Sequence, residues 1–436
     1  MTPLNGEDEV VELCGDLIRI DSTNAGDNSG PGERKAAEYV AAKLADVGLE
    51  PQILESDNGR ANVIARIEGA DPGRDALLLH GHLDVVPFTA SDWRHHPLSG
   101  EVADGCVWGR GAVDMKDMDA MILAVVRQRL SAGRKPPRDI VLAFTADEEA
   151  GGNYGAQWLT ENHRHLFDGC TEAIGEVGGF SVTMGAQDGG SRRLYLIEAA
   201  EKGIAWMRLT AKGRAGHGSM LNDENAVTEL AEAVGRLGRY EWPVRLTSTV
   251  QAFFDEVFEV EVKAEDAEAA VAELGLLARM IGATLRNTAN PTMLAAGYKA
   301  NVIPQAATAH VDGRFLPGYE DEFFQTVDEL LGPNVTREFV YHDVAVETSF
   351  TGPLVKAMAD ALHEEDPGAK VVPYTLSGGT DLKAFSRLGI RGFGFAPLQL
   401  PPDLDFSGMF HGIDERVPVD SLRFGVRVLD RFLDYC

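Results

Sequence analysis

Residues 77–87 read Leu77-Leu78-Leu79-His80-Gly81-His82-Leu83-Asp84-Val85-Val86-Pro87, an apolar run without alternation that ends in a histidine, an aspartate and a proline. A short unalternating run is what a strand covered on both faces needs, and such strands belong to the middle of α/β sheets. Outward from it the same rhythm holds. Helical periodicity covers 9–20 and 33–47, strands are expected near 62–66 and 76–80, and a helix over 115–129 follows. A strand at 139–144, a helix near 154–161 and a strand near 172–175 continue the alternation.

After residue 201 the texture changes. A long strand over 204–211, a helix over 225–237, strands around 283–287 and 307–315, a helix over 320–331 and a strand over 335–341 give the order β-α-β-β-α-β of a small ferredoxin-like insert. The α/β rhythm then returns with a helix over 353–363, a strand at 371–374 and a last helix over 420–433. The expectation is an α/β catalytic domain of residues 1–202 and 344–436, with a central mixed sheet flanked by helices, carrying an inserted α+β domain of residues 203–343.

At 436 residues, two domains are the natural division. The shares of hydrophobic (44%) and charged (25%) residues are those of a soluble globular chain, and no apolar run approaches the roughly 20 residues a membrane span requires. A net charge of −28 argues against nucleic acid, whose phosphates need a basic footprint. Residues 1–12 have neither the basic start nor the apolar stretch of a signal peptide, and Cys14, Cys106, Cys170 and Cys436 are scattered. Reduced thiols and a cytoplasmic location are expected.

The chemistry concentrates where strands end. His82 and Asp84 are two apart, so on a strand they face the same way, and the carboxylate can take the proton on one imidazole nitrogen while the other meets a metal. A satisfied histidine at a strand end is the plain alternative. Asp114, in Gly109-Arg110-Gly111-Ala112-Val113-Asp114, precedes a helix and reads either as a cap or as a carboxylate bridging two cations. Glu148 and Glu149 follow another apolar strand, and adjacent side chains diverge, so Glu149 can ligate while Glu148 stays free as a general base. Glu176 closes a further strand and His411 lies in Met409-Phe410-His411-Gly412. Nitrogen and oxygen donors without thiolates suit zinc, with cobalt or manganese as substitutes.

With these motifs in this order, the chain resembles the zinc peptidase and deacylase family of aminoacylase, glutamate carboxypeptidase, carboxypeptidase S, acetylornithine deacetylase and succinyl-diaminopimelate desuccinylase. The likeness runs from Ile20-Asp21-Ser22-Thr23-Asn24 to Asp414-Glu415-Arg416-Val417-Pro418. It implies two zinc ions, one on His82 and Glu176, the other on Glu149 and His411, with Asp114 as bridge, Glu148 as base and Asp84 behind His82. It implies further that the insert is a lid, able to join two copies into a homodimer, whose His217 reaches the reacting carbonyl. Asn301, Arg314 and the loop Gly378, Gly379 and Thr380 would hold a peptide or N-acyl amino acid. A metal-dependent amide hydrolase is the expected function. A non-catalytic metal-binding module and a dinuclear phosphoesterase are the rivals.

Three departures stand out: Asp117 where the family often has glycine, Met220 after Gly216-His217-Gly218-Ser219 where proline is common, and Val177-Gly178-Gly179 after Glu176, which leans toward the carboxypeptidase-S-like branch. Asp117 is expected either to alter the loop or to be solvated. His80 reads as structural, His95, His96, His163 and His165 as loop residues, and the acidic stretch 255–273 as the exposed face of the insert.

Overall fold

The apolar run becomes the strand Ala76–His82, buried along its whole length, with a parallel neighbour on each side. The computed structural model describes residues 3–185 and 190–436. From the edge inward, the sheet runs Gln52–Asp57, Arg60–Ile67, Ile140–Thr145, Ala76–His82, Cys170–Gly175, Arg391–Gly394 and Ser191–Glu201. The three pairings about Ala76–His82, Ile140–Thr145, Cys170–Gly175 and Arg391–Gly394 are parallel, and those nearer the ends of this path are antiparallel. The sheet is therefore mixed, and its parallel centre is continuously apolar because both faces are covered.

One face is covered by the helices Gly6–Arg19, Lys116–Ser131 and Val419–Tyr435, which pack on one another. The middle of these is buried nearly all round, as its weak apolar asymmetry requires. On the other face Leu78, Val141 and Ala173 meet Leu159, Phe167 and Phe385 from the short helices.

The chain divides into two compact units, Met1–Ala199 with Thr348–Pro373 and Thr380–Cys436, and Ala200–Glu347 with Tyr374–Gly379. In the second, an antiparallel sheet has the order Thr288–Ala296, Ala306–Phe315, Gly203–Lys212 and Val335–Asp343. The helices Ala226–Arg239 and Glu320–Leu331 cover one of its faces. Met207, Leu209 and Val311 point into that core against Leu230, Leu237 and Phe323. The alternate residues, Trp206, Arg208, Asp312 and Arg314 among them, line the other face.

The second unit corrects one expected strand. Residues 283–287 are a turn: Thr284 gives both its backbone N–H and its hydroxyl to the Ile281 carbonyl, at 3.0 and 2.8 Å, closing the short helix Ala278–Gly282. The strand begins at Thr288 and contains Pro291, which is tolerated because this is an edge with a register shift between Pro291 and Met293. The stretch 255–273, read only as an acidic face, holds the end of the helix Ser248–Phe258 and the helix Ala267–Ala272, anchored by the buried Val257 and Val271.

Candidate metal centre

All the carboxylates and histidines read as chemical in the first unit collect at the C-terminal ends of the parallel strands, where open α/β sheets build their sites. His82 is the last residue of its strand, Glu148 and Glu149 follow Ile140–Thr145, and Glu176 follows Cys170–Gly175. Asp114 arrives just ahead of the helix Lys116–Ser131, and His411 comes from a loop near the C-terminus.

Two donor groups form, His82 with Asp114 and Glu176, and Asp114 with Glu149 and His411, the donor atoms of each lying within 4.8 Å of one another. His82 Nε2 is 3.0 Å from Asp114 Oδ1 and 3.4 Å from Glu176 Oε2. His411 Nε2 is 3.2 Å from Asp114 Oδ2 and 2.9 Å from Glu149 Oε2. Asp114 thus turns one oxygen to each histidine. Glu149 Oε1 is buried and has no hydrogen-bond partner, a donor position that a cation would satisfy. Imidazole and carboxylate donors, with no sulfur among them, fit a borderline divalent ion.

The electrostatics agree with that fit. Burial and the nearby Asp114 push Glu149 up to about 7. Hydrogen bonds with Asp114 and Glu149 raise His411 to about 10. Burial opposes charge on His82, but Glu176, Asp114 and Asp84 together raise it well above the usual imidazole range. Without cations, the two histidines carry the positive charge the acids demand. Glu148, whose Oε2 is 3.9 Å from His82 Nε2, is pushed well above the carboxylate range by burial and then by Glu176.

Asp84 stands behind this cluster, fully buried. Its Oδ1 accepts from the Glu148 N–H at 3.1 Å, and its Oδ2 from the Glu149 N–H at 3.2 Å and Asn24 Nδ2 at 2.9 Å. His82 Nδ1 lies 3.0 Å from the Asp84 backbone carbonyl and 3.5 Å from its carboxylate, so the main chain is the nearer acceptor for that ring proton. Asp84 mainly clamps the backbone of the two glutamates.

Glu415, which the reading of motifs left without a role, holds the Asp114 segment. Its Oε1 accepts from the N–H groups of Val113 (2.8 Å) and Asp114 (3.2 Å), its Oε2 from Gly111 N–H (3.0 Å) and Arg110 Nη1 (2.7 Å). Asn24 is a second such residue, since its amide joins Asp84 to Asp147 at 3.0 Å while its oxygen accepts from Arg60. No local pattern reveals either, because Asp84, Asp147, Arg60 and the segment 110–114 that they hold are distant from them in sequence. Asp117 is buried rather than solvated, and with Asp119 it is driven well above the carboxylate range, first by burial. Asp119 packs against Gly81, where a Cβ would sit 2.2 Å from its Oδ1.

Backbone strain also gathers here. Asp147, Val177, His411 and Asp414 all have left-handed φ angles of 54 to 65°, and for a β-branched residue such as Val177 that is a rare conformation. His80 faces the core beside Phe385, and burial lowers it to about 3, in keeping with a structural residue. His95 pairs with Glu101, and its ring lies 4.5 Å from that of Trp108.

Residues 78–435 match the model of peptidase family M20/M25/M40. The chain belongs to this family. It is accordingly a metal-dependent hydrolase of amide bonds. An N-fatty-acyl-amino acid synthase/hydrolase of Xenopus tropicalis is 28% identical over 96% of this chain and 84% of its own. A probable carboxypeptidase S-like protein of Dictyostelium discoideum is 31% identical over 82% and 70%. Among solved structures, an M20 family metallo-carboxypeptidase from Sulfolobus solfataricus shares the fold with a TM-score of 0.73, at 19% identity over 98% of this chain and 99% of that one.

The other residues that the M20 likeness singles out lie outside this cluster. His217, Asn301 and Arg314 belong to the second unit, where the short strands Gly216–His217 and Val302–Ile303 pair, Gly218 N–H donates to the Asn301 carbonyl, and His217 Nδ1 lies 2.8 Å from Ser219 Oγ. Gly378 and Gly379 group with the second unit and Thr380 with the first. Beyond them, Asp381 comes within 2.6 Å of the Thr145 hydroxyl.

Proposed function

We propose that this chain cleaves the amide bond of a peptide or N-acyl amino acid next to a free carboxylate, using two zinc ions. The observation that carries this is the Asp114 carboxylate, one oxygen toward His82 and the other toward His411, with Glu176 and Glu149 completing two donor groups. His82, Glu176 and Asp114 would hold one ion, and Asp114, Glu149 and His411 the other, with cobalt or manganese able to replace zinc. When bound, such a pair polarises the scissile carbonyl and makes water acidic enough to ionise near neutrality.

Glu148 acts as the base. Its carboxylate stands 3.9 Å from His82 Nε2 and outside both donor groups, placed to accept a proton from the attacking water and to return it to the nitrogen as the C–N bond breaks. Asp84, through the backbone of residues 148 and 149, keeps that carboxylate aimed and its neighbour free to ligate. The second unit serves as a lid, in which His217 stabilises the oxyanion, Arg314 takes the substrate carboxylate, and Asn301 with the loop of Gly378, Gly379 and Thr380 completes substrate binding.

The second unit is also the proposed seat of a homodimer. Its edge strand Thr288–Ala296 leaves Met293 and Leu294 exposed, an edge that a second copy can pair. No helix among the described residues is long and apolar enough to cross a membrane. The four cysteines are unpaired thiols, which supports work in a reducing compartment such as the cytoplasm.

The decisive test is a zinc-reconstituted screen of dipeptides beside N-acetyl, N-succinyl and long-chain N-acyl amino acids. Zinc-dependent release of a free amino acid from one class supports the reading. Turnover of a phosphodiester with no amide cleaved across the panel would overturn it. Light scattering reports the dimer.

A further inference from the structure

The open face of the second unit's sheet carries more than an arginine. On the antiparallel register, Arg314 is directly opposite Ile204, and in the next row Asp312 is opposite Trp206, which is itself opposite Tyr341. Directly opposed residues share a face, so these side chains stand together on the side away from the helices. Trp206 is 39% exposed although its chain neighbours Ala205 and Met207 are fully buried. Its ring lies 5.3 Å from that of Tyr341, whose hydroxyl is tied to Asp343 Oδ2 at 3.1 Å. The two rings make a fixed aromatic ledge.

The guanidinium is also fixed. Asp312 takes its inner edge, with Nε to Oδ1 at 2.7 Å and Nη2 to Oδ2 at 3.2 Å. What remains for a ligand is the outer edge, Nη1 with the second proton of Nη2, a fork matched to a carboxylate. Arg314 and Asp312 are two residues apart on one strand, roughly 7 Å, so the ledge begins one row from that fork.

We propose that this face selects the C-terminal amino acid of the substrate. Arg314, aimed by Asp312, takes the carboxylate, and the Trp206–Tyr341 ledge takes a large apolar or aromatic side chain. The proposal rests on the reading that Arg314 binds the substrate carboxylate. Charge complementarity picks the occupant, since the one ligand that suits both features is an amino acid with a free carboxylate and an extended apolar side chain.

The test uses the zinc-loaded protein and one acyl group joined to alanine, leucine or phenylalanine, each as free acid and as C-terminal amide. Wild type is expected to prefer phenylalanine over alanine and acid over amide. Trp206→Ala is expected to cut the phenylalanine-to-alanine ratio of kcat/KM about tenfold, mostly through KM, the size of a lost aromatic contact. Trp206→Phe should restore most of it. Asp312→Asn should weaken acid-over-amide preference while that side-chain ratio survives. If Trp206→Ala leaves the ratio within about twofold while Arg314→Ala abolishes acid-over-amide preference, the ledge is wrong and the arginine reading stands. If Arg314→Ala keeps that preference, the underlying reading fails. A change of oligomeric state in Trp206→Ala by light scattering would give the ledge to a second copy and overturn the proposal.

Discussion

The charged groups that the proposed function uses are held in contrasting ways in the two units. In the first, Asp84, Glu415 and His82 are buried, and each carboxylate is held by several donors from distant segments. In the second, His217 and Arg314 retain solvent contact, and each has a short-range partner two residues away, Ser219 and Asp312. Groups locked from many sides are pre-organised for chemistry on a fixed cation pair. Groups with one local partner can adjust to what they bind. On the proposed function, the contrast separates a reaction centre from a recognition surface.

The severest way to break this comparison is to take away the cations. Dialysis against a chelator is expected to abolish turnover while circular dichroism stays native, because His82 and His411 take up protons and keep the acids neutralised. Unfolding on chelation would mean that the centre is held together by metal rather than built in advance. Next in size is Glu148→Gln, expected to lower kcat by about 10²–10⁴ with metal content by elemental analysis unchanged. A rate near wild type would remove Glu148 from the proton-transfer role.

Glu415→Ala tests the locking itself. It strands the buried Arg110 and the N–H groups of Gly111, Val113 and Asp114, so a loss of about 3–5 kcal/mol in denaturant unfolding is expected, with weaker metal binding. A loss under about 1 kcal/mol would show that the Asp114 segment is held by other means.

The smallest effect is on protons. With no metal, His82 is held well above the usual imidazole range, His411 titrates near 10 and Glu149 near 7, so at pH 7 a cation pair must displace the protons on both histidines and part of one on Glu149. Calorimetry in buffers of different ionisation enthalpy should show about two to three protons released, and affinity should rise with pH between 6 and 9 and fall on acidification. Binding without proton release would contradict the pairing of His411 with Asp114 and Glu149.

Much of the centre was legible because every candidate ligand but His411, which a loop supplies, closes an apolar strand or opens a helix, and parallel strands bring those ends to one place. Lines of local pattern could not show which residues hold the ligands still. Glu415 reaches back 301 residues to Asp114, and Asn24 reaches 123 to Asp147. The insert was read less well for physical reasons. Ala283-Thr284-Leu285-Arg286-Asn287 looks extended until Thr284 closes a helix, and Pro291 disguises an edge strand. The strands Gln52–Asp57 and Phe180–Gly185 also went unread, and they pair antiparallel toward the margins of the sheet, where burial no longer imposes an unbroken apolar run, whereas the unread Ser191–Glu201 is buried from Leu194 onward and breaks its apolar run with the buried Glu198.

The bond network of Glu415 has a meaning in time as well as space. Synthesis delivers Arg110 and Asp114 early, whereas Glu415 emerges 305 residues after Arg110 and His411 just ahead of it. A growing chain can fold the strand that ends in His82 and still lack the residues that secure Asp114. A nascent polypeptide thus lacks the carboxylate that fastens Arg110 and the Asp114 segment until 305 residues beyond Arg110 have been translated.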